Sequence, residues 1–238
     1  SPWGSGSSAY IMDLAYTNIA GSPVAAHGGD QATKLYQKNI FQALSSTYEE
    51  GVEYNMSVWA TTASTNEQVL YLAFTDGDYA NGALAASNYN LVASSTAIVV
   101  PNSGGATWNE YTFSHTATAA DAGKRIGVKV YGRTETWCDD VTLTAVTPDP
   151  EIISFTSLGS NVYEIELTCA PSLKATTQPL KSTDLVIGPW AATPHAATSA
   201  GPFTTTNNLN VSGTAGSGNP VIYVESTDDE AFYGLGQP

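Results

Sequence analysis

The sequence predicts an all-β protein built as two sandwiches or jelly rolls joined in series. Three observations lead there. Apolar residues alternate with a period of two wherever they form a pattern at all, which is the signature of half-buried strands. No segment carries an apolar stripe of helical period longer than about three turns. The runs are separated by segments rich in Gly, Asn, Ser and Pro, which punctuate strands and turns.

In chain order, the first predicted strand is the apolar run Ile40 to Leu44. The second is Val52, Tyr54, Met56 and Val58, whose even spacing puts all four on one face; Trp59 is out of step and should face away from them. The run Val69 to Phe74 follows, then Thr107 to Phe113. The alternations Ile126, Val128, Val130 and Val141, Leu143, Ala145 close the first set. Thr147-Pro148-Asp149-Pro150 then interrupts, because two prolines remove backbone donors and push the preceding residues into extended conformations, so no strand ladder runs through. Beyond it lie the strands Val162 to Cys169 and Val221 to Glu225, with the glycine-rich tract 213–220 leading into the latter. The expected domains are therefore residues 1–147 and a smaller sandwich over 151–238.

At 238 residues and 24.9 kDa the chain is long enough to bury its own core. Its 22 Asp+Glu against 8 Lys+Arg give a net charge of −14, which argues against partners recognised through phosphates: nucleic acid and anionic membrane surfaces are both disfavoured. Apolar runs such as 97–101 and 69–74 are far short of the roughly 20 residues of a membrane span, so no membrane insertion is expected. Abundant Ser, Thr, Asn, Ala and Gly with few lysines leads to the expectation of a secreted or cell-surface protein, and the Ser-Pro-Trp start to the expectation that a secretion signal has been removed. Cys138 and Cys169 lie on either side of the expected joint and are either one bridge or two thiols packed like small apolar residues.

The segment from His27 to Val58 (HGGDQATKLYQKNIFQALSSTYEEGVEYNMSV) and the closing run Trp137-Cys138-Asp139-Asp140-Val141-Thr142-Leu143 resemble bacterial extracellular jelly rolls of the galactose-binding-like and carbohydrate-binding-module kind, over about residues 27–146. The resemblance implies an N-terminal jelly-roll β-sandwich. It also implies a structural calcium ion on Asp30 with Asp139 or Asp140, although the family's opening strand and its glutamate would fall before the point where this pattern begins. The second half, with Tyr163-Glu164-Ile165, Ser182-Thr183-Asp184-Leu185, Trp190 and Phe232-Tyr233, resembles small C-terminal modules of secreted bacterial proteins. That implies a smaller Ig-like β-sandwich in which the aromatics are core.

No nucleophile elbow, zinc-protease motif or phosphate loop is present in the sequence, and His27, His115 and His195 stand singly, so no enzyme activity is expected. Sugar binding needs flat aromatic faces flanked by hydrogen-bonding groups, because pyranose rings stack on π-faces while their hydroxyls demand partners. Trp3, Tyr10, Tyr79, Tyr89, Trp108, Tyr131 and Trp137 are the candidates, and Tyr79, Tyr89, Trp108 and Trp137 are the ligand-binding set selected. The expected function is a non-catalytic module that binds extracellular polysaccharide. The alternative is a self-assembling structural or adhesive subunit, a homo-oligomer or fibre, that uses an open sheet edge and the N-terminal segment Tyr10 to Tyr16, which could instead fold back on its own sandwich.

Overall fold

A computed structural model describes residues 4–5, 10–13, 26–28, 31–77, 91–182, 190–205, 209, 220–228 and 231–236. It is all-β: among the described residues there is no α-helix, only a 3-10 turn at Pro171–Leu173. The chain divides into two units, the first comprising residues 1–48, 53–116 and 123–146, the second residues 49–52, 117–122 and 147–238.

The first set of strands is β1 (Gly4–Ser5), β2 (Tyr10–Asp13), β3 (Gln31–Leu35), β4 (Lys38–Thr47), β5 (Glu53–Thr61), β6 (Gln68–Asp76), β7 (Leu91–Ser94), β8 (Ile98–Val100), β9 (Asn109–Thr116), β10 (Arg125–Gly132) and β11 (Thr136–Val146). One sheet has the order β1-β4-β10-β6-β7, with β8 also on β6; the other has the order β2-β3-β11-β5-β9, and all pairings are antiparallel. Successive long strands β4, β5, β6, β9, β10 and β11 alternate between the two sheets, which is jelly-roll connectivity.

Strand parity places the core. Leu70, Leu72 and Phe74 of β6 and Val128 and Val130 of β10 face Tyr54, Met56 and Val58 of β5, each at most 4% exposed. The Phe74 ring crosses the gap to Phe113 and His115 of β9, at 5.6 and 6.0 Å between centroids. Burying each such side chain contributes about 1.5–3 kcal/mol. Tyr48 closes one end between the sheets, edge-on to Tyr54 of one and Phe74 of the other. Its hydroxyl donates to Thr75 O (3.0 Å) and Gly127 O (3.2 Å), which belong to directly paired residues of β6 and β10. Gly127 is required there, since a Cβ would run into Thr75 Oγ1.

At the opening of the sandwich the fold-back of Tyr10 to Tyr16 within the chain, one of the two expected arrangements, is the one seen for Tyr10 to Asp13. The chain itself supplies two short opening strands: β1 lies on β4, and β2 lies on β3 with Tyr10 opposite Lys34 and Asp13 opposite Gln31. Tyr10 to Asp13 thus covers the edge intramolecularly, while Leu14 to Tyr16 lie outside the described residues.

The second unit contains β12 (Glu151–Gly159), β13 (Val162–Thr168), β14 (Gln178–Ser182), β15 (Ala191–Ala192), β16 (His195–Ala196), β17 (Val221–Glu225) and β18 (Phe232–Gly236). They form a sheet of order β12-β13-β17-β16 and another of order β15-β14-β18. Ile165, Leu167, Leu209, Ile222 and Val224 are buried between them, with Tyr233 and Leu235 of β18 packed on this cluster. Tyr233 also meets Phe155 of β12 at 5.2 Å, so the terminal aromatic does pack inward. Trp190 does not follow the expected core role: it is 40% exposed and lies across Gly234. Both cysteines are free thiols, Cys138 buried and Cys169 half-buried.

Candidate functional site

The six-stranded sheet of the first unit turns one face to the core and one outward. Because Leu70, Leu72, Val128 and Val130 point inward, Tyr71, Ala73, Lys129 and Tyr131 necessarily point out. Tyr71 and Tyr131 are direct register partners on β6 and β10, so their rings come side by side, 6.0 Å between centroids and inclined by 35°. Lys129 precedes Tyr131 by two positions on the same face, and its ammonium lies 5.8 Å from that ring's centroid. Burial pushes the Lys129 ammonium below the usual lysine value. Leu91 and Ser94 of β7 and Arg133 beyond β10 complete an open cavity of about 370 Å³ around this pair. The platform is built on paired strands, so its geometry is fixed before any ligand arrives, which lowers the cost of ordering on binding.

A second cluster lies on the five-stranded sheet, where Trp59 faces away from Tyr54, Met56 and Val58 as its parity requires. The imidazole of His27 stacks on Trp59 at 3.8 Å and 12°, and Trp108 is inclined to the same imidazole at 6.1 Å. Register in β11 slips between Asp139, opposite Trp59, and Thr142, opposite Ser57. This bulge puts Asp140 in the left-handed region, φ 46°, and re-aims its carboxylate at His27 Nδ1, 2.8 Å away. Asp139 accepts from the backbone N–H groups of His27 (3.0 Å), Gly28 (3.1 Å) and Asp140 (2.9 Å). A Cβ at Gly28 would stand 2.5 Å from Asp140 Oδ2, so a larger residue there would displace this carboxylate.

This geometry bears on the expected metal set. Asp139 and Asp140 do come together, but Asp30 lies outside the described residues. Calcium takes six to eight oxygen ligands. The described residues bring two carboxylates, both already engaged by N–H groups or imidazole, and among them no group of three or more His, Cys, Asp or Glu side chains is arranged to hold a metal. By themselves they do not form a calcium cage.

Of the expected ligand-binding aromatics, Tyr79 and Tyr89 lie outside the described residues. Trp108 is half-buried in the His27 cluster, directly before β9 of the five-stranded sheet, and so stands apart from the tyrosine pair on the six-stranded sheet. Trp137 is corrected: it is 2% exposed, its strand lies between β3 and β5, and the Lys34 ammonium sits 5.6 Å from its ring centroid. With Lys34 also bound to Glu135 at 2.9 Å, the outer face of that indole is covered and offers no surface to a sugar. Tyr71 was not among the candidates, because VLYLAF reads as one continuous apolar run; the parity that sets Trp59 apart from its neighbours would have singled it out.

No family model matches the chain, and no curated protein does. Solved structures similar to it include the N-terminal CBM22-1-CBM22-2 tandem domain from Paenibacillus barcinonensis Xyn10C, at 10% identity and TM-score 0.43, over 99% of this chain and 91% of that one. The CBM22-1 xylan-binding domain from the same protein is 12% identical with TM-score 0.42, over 62% of this chain and 87% of that one. A family 35 carbohydrate binding module from Clostridium thermocellum is 11% identical with TM-score 0.35, over 60% of this chain and 98% of that one.

Proposed function

We propose that this chain is a non-catalytic, secreted module that holds an extracellular polysaccharide on the outer face of the six-stranded sheet. The observation that carries this is the pair Tyr71 and Tyr131, two half-buried rings held side by side by strand register at the floor of an open cavity. An open, preformed aromatic floor suits a chain of pyranose rings that passes over it, since each ring can stack while its hydroxyls reach Ser94, Lys129 and Arg133 at the margin. Secretion rests on composition: few lysines and abundant small polar residues.

Calcium belongs to this reading only as a proposal drawn from sequence resemblance, with Asp30, Asp139 and Asp140 as its ligands. The self-assembly alternative relied on an open edge, and β2 occupies that edge from within the chain. No observation among the described residues favours it.

Retention on polysaccharide affinity gels, followed by calorimetry with the retained glycan, tests the main reading. Tyr71→Ala and Tyr131→Ala should each weaken binding about tenfold or more, the loss of roughly 50 Å² of stacked ring face at about 25 cal/mol/Å². A wild-type chain retained by no polysaccharide, or variants that bind as wild type does, would sink it.

A further inference from the structure

Resting on the reading of this chain as a polysaccharide-binding module, we propose that the second unit carries a sugar contact of its own, in which the outer face of Trp190 stacks on a pyranose ring of the glycan. Strand parity says where the indole lies. Tyr233 and Leu235 of β18 pack on the core cluster, so Phe232, Gly234 and Gly236 point to the other side of the three-stranded sheet. Their register partners on β14, Ser182, Leu180 and Gln178, share that outer face.

The indole lies flat on this face. A Cβ at Gly234 would stand 3.3 Å from Trp190 Cζ3 and 3.7 Å from its Cε3 and Cη2, so the six-membered ring rests where a side chain would otherwise be. Gly234 lies inside a strand and has no left-handed φ that would call for glycine. Glycine weakens a strand, and in a strand interior it marks close approach to the backbone. Here the approaching group is Trp190. With one ring face on Gly234, the 40% of Trp190 that is exposed falls on its opposite face and its rim.

Area decides what fits there. Of the roughly 250 Å² of a tryptophan, 40% is about 100 Å², enough for one sugar ring. A protein partner needs about 800 Å² on each side, and no described large apolar residue of β14, β15 or β18 is exposed. A pyranose ring also demands polar neighbours for its hydroxyls. The chain runs from Trp190 straight into the wall of an open cavity of about 260 Å³, whose lining includes Ala191, Ala192, Lys181 and Glu225. Glu225 supplies an acceptor, and Lys181, paired with Asp228, has three N–H donors to share. Gln178 adds an amide on the outer face.

The experiment is fluorine NMR of the full chain with fluorotryptophan in place of its 5 tryptophans, the Trp190 resonance being assigned by its loss in Trp190→Tyr. The probes are xylohexaose, cellohexaose, mannohexaose and maltohexaose. The expected result is that at least one of them shifts the Trp190 resonance in a saturable way, with the same midpoint in Tyr71→Ala as in wild type. On an affinity gel of the matching polysaccharide, Trp190→Ala should bind about tenfold more weakly, and Trp190→Tyr should recover part of the loss. If Trp190→Ala melts below wild type, the resonance of the wild-type chain decides alone. A Trp190 resonance that no hexaose moves, while calorimetry shows binding that Tyr71→Ala abolishes, overturns this inference and leaves the polysaccharide reading standing. A shift that disappears in Tyr71→Ala overturns a separate contact on the second unit. A wild-type dimer in light scattering that Trp190→Ala turns into a monomer identifies a protein contact and overturns the sugar. A Trp190 shift in a chain whose affinity Tyr71→Ala and Tyr131→Ala leave unchanged supports this contact and overturns the one on the first unit. A chain that binds none of the hexaoses and no polysaccharide overturns both.

Discussion

Replacing Tyr48 by phenylalanine isolates one atom of the first unit. The ring stays edge-on to Tyr54 and Phe74, at 5.2 and 6.5 Å, and only the hydroxyl that donates to Thr75 O and Gly127 O is lost. A neutral hydrogen bond contributes about 1 kcal/mol net, and a buried carbonyl deprived of its donor raises the cost to about 2 kcal/mol. For a domain of this size each kcal/mol lowers the melting temperature by about 2–4 °C, so Tyr48→Phe should melt about 2–8 °C below wild type. Tyr48→Ala removes the ring as well and should cost about 3–5 kcal/mol, as other large aromatic truncations do. Urea unfolding followed by tryptophan fluorescence suits the measurement, because Trp59, Trp108 and Trp137 all lie in the first unit and Trp190 in the second. The midpoint should fall with no change in slope, the mark of altered stability rather than altered compactness. A Tyr48→Phe midpoint equal to wild type would show that the hydroxyl contributes nothing and that the bridge between β6 and β10 is incidental.

Three further outcomes are expected. Burial pushes the Cys138 thiol up to about 12, so a thiol reagent at neutral pH should label Cys169 slowly and Cys138 only after unfolding; prompt labelling of both in the native state would contradict the buried position. Lys129 has a lowered folded-state value, so between that value and 10.5 the unfolded chain binds the extra proton and stability rises with pH; Lys129→Met should therefore melt at or above wild type at neutral pH, with the gap closing as pH rises through that window. Calcium held by Asp30, Asp139 and Asp140 would stabilise the native state by about 2.7 kcal/mol at a hundredfold excess over its dissociation constant, so a melting curve unchanged between EDTA and calcium would remove the ion from the account.

Much of the fold was legible because parity is a local property. The expected runs 40–44, 52–58, 69–74, 107–113, 126–130, 141–145, 162–169 and 221–225 overlap β4, β5, β6, β9, β10, β11, β13 and β17, none extending more than two residues past its strand. Strands of two to four residues such as β7, β15 and β16 were not, since so short a stretch carries too few alternations to stand out. Strand β12 begins at Glu151, directly after the second proline, so the break at Pro148 and Pro150 marks where it starts. The site was less legible for a different reason. Whether an aromatic is free depends on what lies over its outer face, and the cover on Trp137 comes from Lys34, about a hundred residues earlier in the chain. Likewise Tyr71 gains its meaning from Tyr131 sixty residues on, a pairing that only the β6 and β10 register reveals.

The alternation of strands between the two sheets also governs the order in which this protein can be made. In one sheet β10 lies between β4 and β6, and in the other β11 lies between β3 and β5. The strands that hold each sheet together are thus the last of the first unit to leave a ribosome or an export channel. Until residues 125–146 emerge, β4 has no neighbour but the two-residue β1, and β5 and β6 wait with one long edge unpaired. Closure over such sequence distances is slow, and apolar strands left open in the interval invite association. A chain halted before Gly123 would carry most of the core residues but neither central strand and no sandwich, so vectorial synthesis gives this unit a single late moment of assembly rather than a gradual one.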